Sequence, residues 1–309
     1  MKKLVSVNTM LTKAATGVMG TLLLGTSHLA YAADLVAPST KFDLLGWTLS
    51  IPVDEDGNGK ADTIKEKKLS AGYANADFFY LNDEGGMVFK APINGAKTSK
   101  NTTYTRAELR GMIRRGDTSH KTKGITGNNW VFSTAPAADK AAAGGVDGTM
   151  DATLSVNHVT TTGKDYQVGR VIIGQIHANH NEPIRIYYRK LPGNSKGSIY
   201  YAHEPVKNKE IWVEMIGSKS NSASNPADGI ALDEKFSYQI NVVGNNLKVT
   251  IMRPGKPDVV RITDMSESGY DQGGKYMYFK AGVYNQNKSG KPDDYVQATF
   301  YDLSVSHNK

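Results

Sequence analysis

Apolar and polar residues alternate with a period of two through most of the chain, the mark of strands that bury one face. In Lys275–Gln286, KYMYFKAGVYNQ, the residues Phe279, Ala281 and Val283 fall on one face. Tyr278, Lys280, Gly282 and Tyr284 fall on the other. The first set suits a core, whereas the second aligns two phenols and an ammonium, with a glycine opening room between them. Tyr104–Arg110, YTRAELR, likewise puts Arg106, Glu108 and Arg110 on one face, and Arg170–His177, RVIIGQIH, pairs Gln175 with His177. Three strands with polar groups on one face predict a single groove for an anionic ligand.

The same alternation predicts strands elsewhere. Phe78–Tyr80 and Met87–Phe89 flank an Asn82–Gly86 turn, and Trp130–Phe132 forms another short run. Met150, Ala152, Leu154 and Val156 point inward along 150–158. Phe236–Val243 and Leu247–Met252 form a hairpin across Gly244, Asn245 and Asn246, and Val296–Ser306 is a last strand. Only Ala137–Ala143 reads as helical, while 34–50 reads as a leader with apolar spots. Many short strands without alternating helices predict an all-β fold, an antiparallel two-sheet β-sandwich of jelly-roll type with a concave binding face. Polar loops at 117–129, 178–182 and 217–228 read either as lids over that face or as plain surface connections.

The N-terminus stands apart. Lys2, Lys3 and Lys13 precede the apolar run Ala14–Gly25, and Ala30-Tyr31-Ala32 supplies a small-x-small cleavage pattern. Residues 1–32 are therefore expected to be a secretory signal peptide, and 33–309 a single secreted domain, extracellular or periplasmic. The run is too short to span a bilayer. Removing its three lysines lowers the formal charge from +7 to +4. The chain has no cysteine, which excludes thiolate chemistry and a disulfide-stapled fold. A pI near 9.2 favours a polyanion. In an exported protein that means an acidic polysaccharide, bound by a monomer, rather than nucleic acid or a membrane.

Asp54, Asp56, Asn58 and Asp62, with Gly59 in the loop, follow the opening spacing of a calcium loop. The closing glutamate is replaced by Lys65, so the segment reads equally as an Asp/Asn/Gly turn. His177 and His180 fall on opposite faces of a strand and do not form a metal pair. No closely alternating pair of acids suggests glycoside hydrolysis, and no G-x-S-x-G elbow occurs.

The groove residues suit removal of a proton α to a carboxylate. That reaction must neutralise a dianionic enolate, hold a base at the proton and supply an acid to the leaving oxygen. Arg106 and Gln175 can bind the carboxylate by charge and by amide hydrogen bonds. His177 can accept a proton near neutral pH. Tyr284 has an ordinary pKa of about 10, which Lys280 and Arg106 are expected to lower.

The trio YTRAELR, GQIH and YFKAGVYNQ resembles the signature strands of polysaccharide lyase family 7, the alginate lyases. PVDEDGNGKADTI and the C-terminal FYDLSVSH resemble the family's ends, so the likeness spans about Leu49 to His307. It implies a jelly roll that cleaves a polyuronate by β-elimination without a cofactor. Arg106 and Gln175 would neutralise the carboxylate, and His177 and Tyr284 would handle the C5 proton and the departing 4-oxygen. Glu108, Arg110, Arg185, Tyr278, Lys280 and Gln286 would line the subsites, Arg185 reaching a further carboxylate. Ala107 departs from the family's Thr or Ser, on the face away from Arg106. Ile176 in QIH implies acceptance of guluronate. A non-catalytic polysaccharide-binding sandwich and a lyase for another polyuronate such as glucuronan are the alternatives.

Overall fold

The computed structural model describes residues 35–308; the predicted signal peptide lies outside them. Seventeen strands occur among these residues. In chain order they are β1 (Trp47–Ser50), β2 (Thr63–Ile64), β3 (Phe79–Leu81), β4 (Met87–Pro92), β5 (Arg106–Gly111) and β6 (Trp130–Val131). Then come β7 (Gly145–His158), β8 (Arg170–His177), β9 (Ile184–Arg189), β10 (Lys196–His203), β11 (Ile211–Ile216) and β12 (Ile230–Ala231). The last are β13 (Phe236–Val243), β14 (Asn246–Met252), β15 (Val259–Asp264), β16 (Tyr278–Asn285) and β17 (Tyr295–Asn308).

One sheet runs β11-β10-β9-β8-β16-β5-β1-β2, and the other β15-β14-β13-β7-β17-β4-β3. The jelly-roll sandwich expected from the alternation is therefore present. Pairings are antiparallel except for short β6, which lies parallel to β7. The helical run at Ala137–Ala142 also appears. A second short helix, Glu66–Ser70, lies where no apolar periodicity marked one. The supposed leader contributes β1, whose Trp47 and Leu49 are buried and which pairs with β5.

The core lies between the sheets. Met150, Ala152, Leu154 and Val156 of β7 face Phe279, Ala281 and Val283 of β16 across it, in one continuous apolar cluster. Trp130 stacks on Phe279 with ring centroids 5.1 Å apart. Each such side chain contributes about 1.5–3 kcal/mol by leaving water.

Two irregularities set which residues leave the core. The ladder between β8 and β9 shifts at Ile172/Gly174, and that between β8 and β16 shifts at Ala281/Tyr284. Both Ile173 and Gly174 consequently face the core, and Ile172 turns to the opposite face. A Cβ on Gly174 would lie 2.6 Å from the Tyr238 hydroxyl, which itself donates to the Ile173 carbonyl at 3.0 Å. Gly282 holds φ +131, and a Cβ there would meet the Ala107 carbonyl at 2.6 Å. The expected role for Gly282, opening room between the phenols, is thus corrected: it lets β16 lie tightly against β5 in regular register while its ladder with β8 shifts.

Candidate active site

The three polar strands are neighbours, in the order β8-β16-β5. Register places Lys280 opposite Gln175 on one side and Arg110 on the other, Tyr278 opposite His177, and Tyr284 opposite Arg106. Glu108 is the hub. Its carboxylate accepts from Arg106 Nη1 at 2.8 Å, from Lys280 Nζ and from Gln175 Nε2. It is 2% exposed although it lies on the outer face of the sheet, as expected at the floor of a trough. Burial opposes its charge, but Lys280 and Arg106 outweigh it and hold the carboxyl below its ordinary range.

The expected bracketing of Glu108 by Arg106 and Arg110 needs correction. Its second cation is Lys280; Arg110 donates to the Thr122 carbonyl at 2.6 Å and lies 4.0 Å from the Tyr278 ring centroid. Burial, with the charge of Arg106 nearby, draws Lys280 down to about 8. Two cations and one carboxylate leave one positive charge. The Arg106 guanidinium also lies 3.6 Å from the Tyr284 ring centroid.

Tyr284 does not follow the expected shift. Burial raises its pKa, and Arg106 only partly offsets this, so the hydroxyl keeps its proton at neutral pH. His177 stacks on Tyr278, with rings 5.1 Å apart and 8° from parallel. Its Nδ1 lies 2.5 Å from the Ala178 carbonyl, which fixes the proton on Nδ1 and leaves the Nε2 lone pair as the basic position. Burial and the charge of Lys280 push the imidazole down to about 4, so it is neutral in ordinary conditions.

Other expected site residues sit differently. Tyr278, held between His177 and Arg110, has both ring faces occupied and orients the imidazole. Arg185 lies opposite Gln175, but it is ion-paired with Glu210 and has Glu182 and Glu204 each at 3.9 Å. Its charge, expected to meet a further sugar carboxylate, is already answered by the protein. Gln286 is 6% exposed and donates to the Asn285 carbonyl at 3.1 Å, past the end of β16. Asp54, Asp56 and Asp62 bring carboxylate oxygens within 4.8 Å of one another, and the Asn58 side chain donates to Asp56 at 2.8 Å.

An aromatic floor extends the groove beyond the bulge. Ile172, Tyr187 and Tyr200 form a buried cluster with Trp212 and Tyr284 against it. Tyr187 and Tyr200 stack at 5.2 Å. Strict alternation in IRIYYR puts Arg185, Tyr187 and Arg189 on this face and sends Ile184, Ile186 and Tyr188 to the core. The loop at 217–228 borders this end, its Lys219 carbonyl and Asn221 side chain accepting from Arg189.

A family model described as "Alginate lyase" matches residues 42–307. A curated alginate lyase from Klebsiella pneumoniae is 65% identical over 284 residues, covering 89% of this chain and 92% of that protein. The crystal structure of the alginate lyase from Klebsiella pneumoniae superposes with a TM-score of 0.87 at 64% identity, covering 88% of this chain and 99% of the other. The exolytic PL7 alginate lyase from Zobellia galactanivorans is 23% identical, with a TM-score of 0.66 over 88% of this chain and 98% of its own, and so shares the fold. Breadth and identity of this order, on a chain whose three signature strands lie side by side around a buried carboxylate, place it: the chain belongs to the alginate lyases of polysaccharide lyase family 7.

Proposed function

We propose that this alginate lyase acts by β-elimination at a guluronate residue, with Arg106 and Gln175 on the sugar carboxylate. His177 Nε2 takes the C5 proton, the C5–H electrons form the C4–C5 double bond, and the C4–O bond breaks. Tyr284 gives its hydroxyl proton to the departing 4-oxygen. The products are an unsaturated uronate at one new end and, at the other, a free anomeric hydroxyl on the sugar that kept the bridging oxygen. The observation that carries this reading is the Glu108 hub, which fixes Arg106, Lys280 and Gln175 on one floor with one positive charge left over. That charge can neutralise one carboxylate as it becomes an enolate. A neutral imidazole suits a base, and a phenol that keeps its proton suits an acid.

Guluronate presents its C5 proton and 4-oxygen on opposite sides, so two groups are required; mannuronate presents both on one side, where Tyr284 alone can serve. His177→Ala should therefore lower cleavage of polyguluronate by roughly 10²–10⁴-fold and spare polymannuronate more, read by the ultraviolet absorbance of the unsaturated product. Equal losses on both blocks would remove the division of labour. Alginate binding without any absorbance change would return the chain to a non-catalytic sandwich. The same reading has the enzyme exported after cleavage behind Ala32 and active as a monomer, which N-terminal mass and sedimentation measure.

A further inference from the structure

The mechanism above leaves Glu182 without a part, yet its Oε1 lies 3.2 Å from His177 Nε2, the ring nitrogen that must be open to take a proton. The arrangement is built rather than incidental. A turn closed by Ala178 N–H to the Asn181 carbonyl at 2.8 Å swings Glu182 back over the imidazole. Glu204 locks it there. The Glu204 N–H donates to the Glu182 carbonyl at 3.2 Å, and the Glu182 N–H to the Glu204 carboxylate at 3.4 Å. Behind them His203 Nδ1 bonds the Pro183 carbonyl at 2.7 Å, its Nε2 meets the Ser268 hydroxyl at 2.6 Å, and Tyr270 donates to the Glu204 carbonyl.

We propose that Glu182 is a positioning residue that gates the base: protonated, it donates to His177 Nε2 and occupies the lone pair; ionised, it leaves the lone pair open for the C5 proton. The proposal rests on the assignment of His177 as the base for guluronate. The charged and titratable groups facing Glu182 are His177, Glu204, Arg185 and, across the sheet, Lys280, with the phenols of Tyr187, Tyr270 and Tyr284, all raised by burial, around them. Glu210 compensates Arg185. Burial first, and then the neighbouring Glu204 carboxylate, push the Glu182 carboxyl up to about 7 against the pull of Arg185. Since His177 lies at about 4, the proton between them resides on Glu182 rather than on the imidazole, and it departs as pH rises through about 7. Guluronate turnover should therefore rise with pH across neutrality.

Two variants separate gating from support. Glu182→Gln keeps the shape but donates an amide N–H at every pH, whereas Glu182→Ala removes the cap and the shape together. The gate requires Glu182→Gln to be the worse enzyme, with guluronate turnover about 10²-fold down relative to mannuronate turnover at pH 8. It also requires Glu182→Ala to lose the rise across pH 7 and to work at pH 6. A merely structural Glu182 gives the reverse order, with the isosteric Gln close to wild type, and that order overturns the proposal. Nitrogen NMR of His177 supplies a readout independent of turnover. The wild-type Nε2 signal should move near pH 7, and this step should vanish in both variants; a step that persists also overturns it. His177→Ala, assayed alongside, identifies failure of the base assignment itself, because guluronate turnover then survives without the imidazole.

Discussion

Glu108→Gln removes the carboxylate between Arg106 and Lys280 while keeping the side chain's shape. All three side chains are at most 12% exposed, so water cannot take over the lost interaction. Removing one partner of a buried ion pair costs about 3–5 kcal/mol. Arg106 has no escape, because a guanidinium stays protonated. Lys280 does have one. It lies at about 8 with the carboxylate's support, against an ordinary 10.5, and losing that support carries it lower still. Between pH 7 and 8 the folded variant then holds a neutral Lys280 that regains its proton on unfolding. A lysine depressed in the folded state adds stability as pH rises from its folded to its unfolded value, at about 1.4 kcal/mol per unit. The variant gains over this interval, and wild type starts to gain only near pH 8. The deficit should accordingly narrow by about 1 kcal/mol from pH 7 to 8 and hold level beyond. Urea unfolding at pH 7, 8 and 9, followed by tryptophan fluorescence, measures it. A deficit below about 1 kcal/mol at pH 7, or one unchanged up to pH 9, refutes the hub reasoning.

Tyr284→Phe keeps the ring against Arg106 and removes the proposed acid, so it should abolish cleavage of both block types while equilibrium binding of alginate persists; near wild-type turnover on either block defeats the assignment. Raising salt should increase KM for short alginate oligomers more than it lowers kcat, because the surplus charge attracts the substrate through a field screened within about 8 Å at physiological ionic strength; a flat KM counts against a charged track. Gly282→Ala should cost at least about 1–3 kcal/mol from its positive φ, before the contact with the Ala107 carbonyl, and calorimetry should give a clearly lower Tm. Exhaustive chelation should leave kcat within about a factor of two, since the proposed mechanism sets the charge of Arg106 and the amide of Gln175 against the sugar carboxylate; complete loss, restored by one metal in a folded enzyme, contradicts that.

The sandwich was legible because most strands bury one face, and period two then sorts their residues without knowledge of partners. The same parity puts Arg106, Gln175, His177 and Tyr284 on one face, which is where the sheet holds them. What escaped depends on neighbours. That Lys280 rather than Arg110 holds Glu108 follows from register across β16, and that burial outweighs Arg106 at Tyr284 follows from packing. Glu182 comes from a turn that doubles back on the strand, a geometry no spacing encodes. β1 is hidden because four residues, Trp47–Ser50, are too few for a period of two to stand out from scattered apolar positions.

A strand is a device of parity: even and odd places go to opposite sides, and an extra residue changes the phase of everything beyond it. The shift at Ile172/Gly174 is such a phase change. Upstream of it Arg170 and Ile172 share the groove side with Gln175 and His177 only because two successive residues, Ile173 and Gly174, both turn inward. Deleting either one would restore simple alternation. Arg170, Ile172, Gln175 and His177 would then share the groove face by plain alternation and Val171 would stay in the core; the ladder with β9 would become regular, and the pairing with β16 would have to give. A single residue can therefore be lost at this one point with the sides preserved, whereas a single deletion elsewhere in β8 reverses every place on one side of the cut; the loops at 117–129 and 217–228 carry no such arithmetic, and their length is constrained by the carbonyls they offer to Arg110 and Arg189.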